Sequence, residues 1–247
     1  MHPPGEVRVG EPRPGWRSVR AEAVLVLVGL TGVGKSTTLA ALLARTPFTV
    51  LPDRRALTDA VILGGAAITD RAERFRRTAA YRASHPGGMA GVLEDVNVAE
   101  TGDLLFDGLR GLEEVAHAAT HLPRARFVAL HAPDTVRVAR LLGRADAFDR
   151  LEVGAVSKST LEALLGIDGI QGVFNAGELE HLAALPYPSA DVVAKASIVV
   201  TERQHYDPVP VNALLETLPR KRALVMDTTS TAPEEIAAQI SQWWSAP

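Results

Sequence analysis

The feature that most constrains this chain is a glycine-rich segment directly after its most apolar stretch. Residues 23–28 read AVLVLV, a continuous apolar run typical of a strand that is buried on both faces. Residues 29–36 read GLTGVGKS and match the pattern G-x-x-x-x-G-K-[ST] in full. Residues 35–45 then have leucines at helical spacing. A strand, a glycine-rich turn and a helix in this order predict a loop that binds phosphate groups.

Each residue type in this loop has a physical role. Glycines allow positive φ angles and let successive backbone N–H groups approach a phosphate without obstruction. Lys35 would bridge the β- and γ-phosphates, and Ser36 offers a hydroxyl to Mg²⁺, which prefers oxygen ligands. We therefore expect ATP and Mg²⁺ as cofactors. The residues expected to bind the nucleotide are Gly29, Thr31, Gly32, Val33, Gly34, Lys35, Ser36 and Thr37.

Composition and charge exclude several other classes of protein. The chain has 247 residues, 47% of them hydrophobic, which is enough for one large domain with a buried core. It has 26 Lys and Arg against 29 Asp and Glu, and this balance argues against binding nucleic acid through excess positive charge. It has no cysteine, so disulfides, cysteine-ligated zinc and thiol catalysis are excluded. No apolar run resembles a membrane span or a secretory signal, so we expect a cytoplasmic protein without a membrane partner.

Strand and helix patterns alternate along most of the chain, which predicts a three-layer α/β fold of the P-loop type. In such a fold a mostly parallel sheet carries helices on both faces, and ligands bind at the carboxyl ends of the strands. Residues 1–20 are rich in proline and glycine and are predicted to be a flexible tail, so the domain would cover residues 21–246. Residues 147–195 break the alternation and are predicted to be a helical insertion or lid. A buried strand is predicted at residues 197–200.

An apolar run that ends in aspartate marks the predicted metal-binding strand. Residues 104–107 read LLFD, and Asp107 would lie beside Ser36 and hold Mg²⁺ directly or through water. The alternative is Asp227, which ends the apolar run of residues 225–227. Gly108 follows Asp107, whereas motor-type ATPases usually carry a glutamate there to polarise the attacking water. This difference argues against that class.

The order of the next motifs resembles that of nucleoside and nucleotide kinases of the adenylate kinase type. Residues 106–110 read FDGLR and are similar to the D-G-F-P-R segment of adenylate kinases, which implies that Arg110 binds the phosphate of an acceptor. Residues 140–144 read RLLGR and resemble the kinase lid, which implies that Arg140 and Arg144 clamp the donor phosphates during transfer. The resemblance covers roughly residues 23–146 and 196–244.

Residues 52–95 would form the acceptor pocket of such a kinase. Asp53 follows the second predicted strand and is the candidate for a catalytic base or for orienting an acceptor hydroxyl. The candidate ligands for an anionic acceptor are Arg54, Arg55, Arg74 and Arg77, the last two on one face of a predicted helix. The alternative for these residues is a purely structural role, in which Asp53 caps a helix and the arginines lie on a solvated surface.

Two hypotheses of different class follow. The first is an ATP·Mg²⁺-dependent kinase that phosphorylates a small anionic acceptor, with a nucleoside monophosphate as the first choice. The alternative is a nucleotide-dependent ATPase or switch that controls a partner protein, with residues 147–195 as its docking surface. A kinase that acts on nucleic-acid ends is least favoured, because the net charge is −3.

Overall fold

The computed structural model of the protein describes residues 7–9, 14–65, 68, 70–99, 102–143 and 159–246. In chain order, the strands are β1 (Val7–Val9), β2 (Arg17–Ser18), β3 (Val24–Val28), β4 (Thr49–Val50), β5 (Val96–Val98), β6 (Leu104–Leu109), β7 (Ala125–His131) and β8 (Ala223–Asp227). The helices are α1 (Lys35–Leu43), α2 (Arg54–Leu57), α3 (Arg71–Ser84), α4 (Gly88–Glu94), α5 (Leu112–His121), α6 (Asp134–Leu142), α7 (Thr160–Leu165), α8 (Ala176–Ala183), α9 (Ser189–His205), α10 (Pro208–Thr217) and α11 (Pro233–Ser245).

A parallel sheet with the strand order β4-β6-β3-β7-β8 forms the centre of the fold. The strand that precedes the glycine-rich loop is therefore central, and it pairs with β6 on one side and with β7 on the other. Val24 lies opposite Leu104 of β6 and Ala125 of β7, so the three strands are closely in register. This sheet, with helices around it, confirms the three-layer α/β fold that the sequence predicts.

The apolar residues of β3 alternate between two hydrophobic cores. Val24, Val26 and Val28 face one core, here called the valine-side core, which includes residues of α4, α5 and α10. Leu25 and Leu27 face a second core, which α1 and α11 cover. All five side chains are buried, which is why this strand reads as a continuous apolar run rather than an alternating one.

The helices after α6 form a helical unit, defined as residues 159–205, with a hydrophobic cluster of its own. Val138 and Leu141 of α6 contribute to this cluster together with residues of α7, α8 and α9. The predicted insertion ended at residue 195, but α9 continues without a break to His205. The strand predicted at residues 197–200 is therefore wrong. Val199 and Val200 are buried in the helical cluster, and this packing outweighs the preference of β-branched residues for strands.

Residues 7–9 and 14–20, the described part of the first twenty residues, differ from the prediction of a flexible tail. In the part that the structure describes, β1 and β2 each pair antiparallel with β5, a strand that sequence analysis did not predict. Val19 follows in a short 3₁₀ turn and is fully buried in the valine-side core. The described part of this segment is therefore ordered by pairing with a strand, β5, that lies much further along the chain. None of the described helices combines the length and the apolar character needed to cross a membrane.

Candidate nucleotide-binding site

The glycine-rich loop lies between the carboxyl end of β3 and the first turn of α1, as the motif predicts. Gly32 has a φ of +84°, and a Cβ atom there would lie 3.0 Å from the carbonyl oxygen of Arg137. A Cβ atom on Gly29 would lie 2.6 Å from the carbonyl oxygen of Leu130. The loop therefore needs glycine both for its backbone angles and for its close approach to β7 and α6.

Lys35 folds back over the loop. Its Nζ donates hydrogen bonds to the carbonyl oxygens of Gly29 at 2.9 Å and Leu30 at 3.2 Å. It also lies 4.0 Å from a carboxylate oxygen of Asp107. Burial lowers the pKa of Lys35 to about 8, although the charge of Asp107 opposes this shift. The phosphates of a bound nucleotide would add negative charge here and favour the protonated lysine.

Asp107 lies on β6, directly beside the last residues of the loop strand. In the register of the two strands it stands opposite Leu27. Its Oδ1 atom is buried and accepts no hydrogen bond from the residues that the structure describes. Burial raises the pKa of this carboxyl, and the charges of Lys35 and Arg110 oppose the shift. A buried carboxylate oxygen that accepts no hydrogen bond fits a hard cation such as Mg²⁺.

Asp107 and Asp227 are the two candidate aspartate ligands, and they differ in their surroundings. Ser36, which is predicted to bind the same ion as Asp107, is exposed in the first turn of α1, so its hydroxyl is available. Asp227 ends the edge strand β8 and is also exposed, and its Oδ1 atom accepts a hydrogen bond from the backbone N–H of Thr229 at 2.7 Å. Hydrogen bonds from the side chain and the backbone N–H of Thr229 lower the pKa of Asp227. The geometry therefore favours Asp107 and Ser36 as the residues that would hold Mg²⁺.

We expect Asp107→Asn to lower ATP turnover at least about a hundredfold, because a metal ion at the transferring phosphate stabilises the transition state by several kcal/mol. ATP affinity should change much less, and more Mg²⁺ should be needed for half-maximal turnover. Turnover measured over a Mg²⁺ titration would check this. Asp227→Asn is the matched control, and the metal assignment is wrong if that variant has the larger effect.

The position after Asp107 has no room for a side chain. The pairing of β3 with β6 shifts register here, and a Cβ atom on Gly108 would lie 2.4 Å from the ring of Phe106. That ring is fully buried in the valine-side core. A glutamate beside the predicted metal ligand is therefore excluded by packing unless Phe106 moves.

Helix α6 places two arginines against the loop. Arg140 donates to the hydroxyl of Thr228 at 2.8 Å and to its carbonyl oxygen at 2.6 Å, and its Nη1 atom lies 3.5 Å from the carbonyl oxygen of Gly32. Arg137, which sequence analysis missed, donates through Nε to the carbonyl oxygen of Thr31 at 2.8 Å. It lies one turn before Arg140, and this spacing on one helix was the available signal. Arg144 lies outside the described residues.

The residues assigned to the acceptor have structural partners. Asp53 caps α2 and accepts a hydrogen bond from the backbone N–H of Ala56 at 2.7 Å. Arg54 binds both carboxylate oxygens of Glu114 at 2.7 Å and also donates to the carbonyl oxygen of Gly108 at 2.9 Å. Asp53 therefore has the capping role of the structural alternative, whereas Arg54 is held in an ion pair rather than on a solvated surface. A role of either residue in binding an acceptor stays a prediction.

Three of the remaining acceptor arginines lie beside acidic side chains, and the fourth lies on the surface. Arg55 is exposed on α2. The three pairs are Arg74 with Asp59, Arg77 with Glu73, and Arg110 with Glu202. The side chains of Arg54, Arg74, Arg77 and Arg110 therefore each pair with a different acidic residue.

Glu202 of α9 is a residue of the loop environment that sequence analysis missed. Its carboxylate accepts hydrogen bonds from the backbone N–H of Thr31 at 2.9 Å and from the Thr31 hydroxyl at 3.0 Å. It also accepts from Arg110 at 2.9 Å and from Arg137. The side chain is only 7% exposed. Glu202 lies 171 residues from Thr31 along the chain, and no pattern in the local sequence predicts such a contact.

A small cavity lies on the predicted acceptor side. It has a volume of about 140 Å³, and its lining includes Arg54, Thr58, Thr78, Arg82, Met89 and Tyr206. Pockets for small molecules usually measure roughly 300–1,000 Å³. The cavity as it stands is too small for a nucleoside monophosphate.

A parallel sheet whose central strand enters a complete glycine-rich loop, with an aspartate on the adjacent strand, defines a P-loop nucleotide-binding protein. The sequence model of the AAA domain (dynein-related subfamily) matches residues 24–149, about half of the chain. The chain belongs to this family. A search of curated proteins found no significant match.

The family assignment supports ATP binding, and ATP hydrolysis is the activity that it implies. It supports membership of the P-loop NTPases but not the closer resemblance to nucleotide kinases. The match does not test the inference from Gly108 against motor-type ATPases, which stays a prediction. The matched region ends before the helical unit.

Proposed function

We propose that this protein is a nucleotide-dependent regulatory ATPase, a switch whose nucleotide state is communicated to a partner protein through the helical unit. The observation that carries the proposal is the contact of Glu202 with the loop. A residue of α9 binds the backbone of Thr31, so a change in the loop on nucleotide binding acts directly on the helical unit. The family assignment supports the ATPase part of the proposal.

The site chemistry supports slow hydrolysis. Lys35 and the loop N–H groups would bind the phosphates, and Asp107 with Ser36 would hold Mg²⁺, which neutralises charge on the transferring group. Position 108, where a glutamate would polarise the attacking water, holds a glycine packed against Phe106. A site that binds ATP well but activates water poorly keeps its triphosphate state for long periods, as a switch requires.

The helical unit offers a surface for a partner. A groove of about 360 Å³ runs between α7 and α8, and its lining includes Leu161, Leu165, Phe174 and Leu179. Leu165 is 47% exposed, although it is a large apolar residue. This groove lies within residues 159–205 and so refines the docking surface predicted from the sequence at residues 147–195.

A small-molecule kinase is the second candidate, and the acceptor-side cavity is the observation that favours it. Two arginines, Arg54 and Arg82, are among the residues that line this cavity. Its volume of about 140 Å³ suits inorganic phosphate or another small anion rather than a nucleotide. The kinase would also require Arg54 to leave its ion pair with Glu114.

Identification of the reaction products would distinguish the two candidates. The full chain is incubated with ATP and Mg²⁺, alone and with a panel of nucleosides, nucleoside monophosphates and small phosphorylated metabolites. We expect slow release of inorganic phosphate at a rate that no member of the panel changes, and no release by Lys35→Ala. Rapid ADP formation with one acceptor, accompanied by phosphorylation of that acceptor, would overturn the switch in favour of the kinase.

A further inference from the structure

The carboxylate of Glu202 fills a site that is built to bind an anion. Four donors converge on it, namely the backbone N–H and the hydroxyl of Thr31 and the guanidinium groups of Arg110 and Arg137. Arg137 is only 1% exposed and Glu202 is 7% exposed, so this ion pair is buried. Two cations, a loop N–H and a hydroxyl are the donors that recognise phosphate groups in proteins.

The position of this site connects it to the nucleotide. Thr31 is the third residue of the glycine-rich loop, and Lys35 of the same loop lies close enough to feel the charges of Arg110, Arg137 and Glu202. A terminal phosphate carries more charge than a carboxylate and has three free oxygens, so it can engage the same donors more fully. Glu202 and a nucleotide phosphate at this point would repel each other, and they would compete for the same hydrogen bonds.

We propose that Glu202 is an internal competitor of the nucleotide's terminal phosphate. In the nucleotide-free protein its carboxylate occupies the donors at Thr31, Arg110 and Arg137. Binding of a nucleoside triphosphate displaces it, and the carboxyl-terminal turn of α9 is then released from the loop. A diphosphate has no terminal phosphate to place there and leaves the contact intact. This inference rests on the proposed switch and specifies how that switch distinguishes ATP from ADP.

Glu202 could instead serve as the base that Gly108 does not supply, but its contacts argue against this role. One carboxylate oxygen accepts from the Thr31 hydroxyl and Arg110, and the other accepts from the Thr31 N–H and Arg137. Both oxygens are thus engaged by the protein rather than directed at a water molecule. The experiment below distinguishes these two roles.

The test compares nucleotide affinity in Glu202→Gln with that in the unaltered protein. Glutamine keeps the shape of the side chain and removes its charge. We expect ATP with Mg²⁺ to bind roughly tenfold more tightly or better, a change of about 1.4 kcal/mol, and ADP affinity to change much less. Asp191→Asn is the matched control, because Asp191 is an exposed carboxylate in the first turn of the same helix. It should bind both nucleotides as the unaltered protein does.

Hydrogen exchange on the unaltered chain gives a readout that does not depend on any variant folding. We expect a slowly hydrolysed ATP analogue to speed amide exchange over residues 198–205, and ADP to leave it unchanged. Unchanged or weaker ATP affinity in a folded Glu202→Gln, or exchange that ATP slows, would overturn the proposal. Loss of hydrolysis at saturating ATP with unaltered affinity would overturn it in favour of the base.

The outcomes separate this proposal from the proposed function. Affinity and exchange are measured without a partner and without turnover. Unaltered ATP affinity in Glu202→Gln therefore contradicts the proposed competition between Glu202 and the terminal phosphate, but it does not contradict the proposed switch. Rapid phosphorylation of a small acceptor overturns the switch and leaves the affinity result standing.

Discussion

Replacement of Lys35 by alanine is expected to lower ATP turnover about a hundred- to a thousandfold or more, since it removes a charged donor aimed at the phosphate where negative charge accumulates. The fold should survive. Lys35 contacts two loop carbonyl groups, and burial lowers its pKa, so the folded protein gains little from the charged form. Turnover with ATP and Mg²⁺, together with a thermal melt, would check both parts.

Lys221 provides the matched control for this prediction, because it is an exposed lysine between α10 and β8. Lys221→Ala should retain the turnover and the melting temperature of the unaltered protein. Turnover that persists in Lys35→Ala would mean that the glycine-rich loop is not the site of hydrolysis, and the proposed function would fall with it.

Arg54→Ala is expected to destabilise the protein by about 3–5 kcal/mol, the usual cost of removing one partner of a buried ion pair. Arg54 binds both carboxylate oxygens of Glu114, whose side chain is 5% exposed. Burial alone would raise the pKa of Glu114, but the Arg54 guanidinium outweighs it and lowers that pKa. Chemical denaturation at neutral pH would measure the loss of free energy of unfolding.

The loss of stability in Arg54→Ala is expected to depend on pH in a definite direction. A carboxyl whose pKa is lowered by folding stabilises the folded state above its ordinary value of 4.5, and that contribution is lost as the pH falls through the lower folded pKa. The difference between Arg54→Ala and the unaltered protein should therefore be largest near neutral pH and should narrow below pH 4.5. Arg77→Ala, which removes an exposed arginine paired on the surface of α3, should change the melting temperature little.

An unchanged stability of Arg54→Ala would contradict the structural role. If such a variant also lost phosphorylation of a small acceptor, Arg54 would regain the acceptor-binding role that the sequence predicts. The two measurements together decide between a residue that holds α2 against α5 and a residue that holds a substrate.

The amino-acid sequence by itself determined the loop, the core strand before it and the helix after it. All three depend on neighbours along the chain: an apolar run that fills two cores, glycines at positions of positive φ, and a lysine at the start of α1. The aspartate of β6 could also be located from its position at the end of an apolar run. Local patterns of this kind predict elements well because the interactions that stabilise them lie within a few residues.

Only the tertiary structure decided which charged residues surround the loop. The sequence predicts that Arg54 binds a substrate. In the fold it binds Glu114, which lies sixty residues away along the chain. The pattern of residues 197–200 predicts a strand. In the fold these residues belong to α9, where they pack in the hydrophobic cluster with α6 and α7. Glu202 reaches Thr31 only because α9 packs against α6, which itself lies on the loop. Pairing between distant charges depends on three-dimensional packing, and the sequence records no spacing from which it could be inferred.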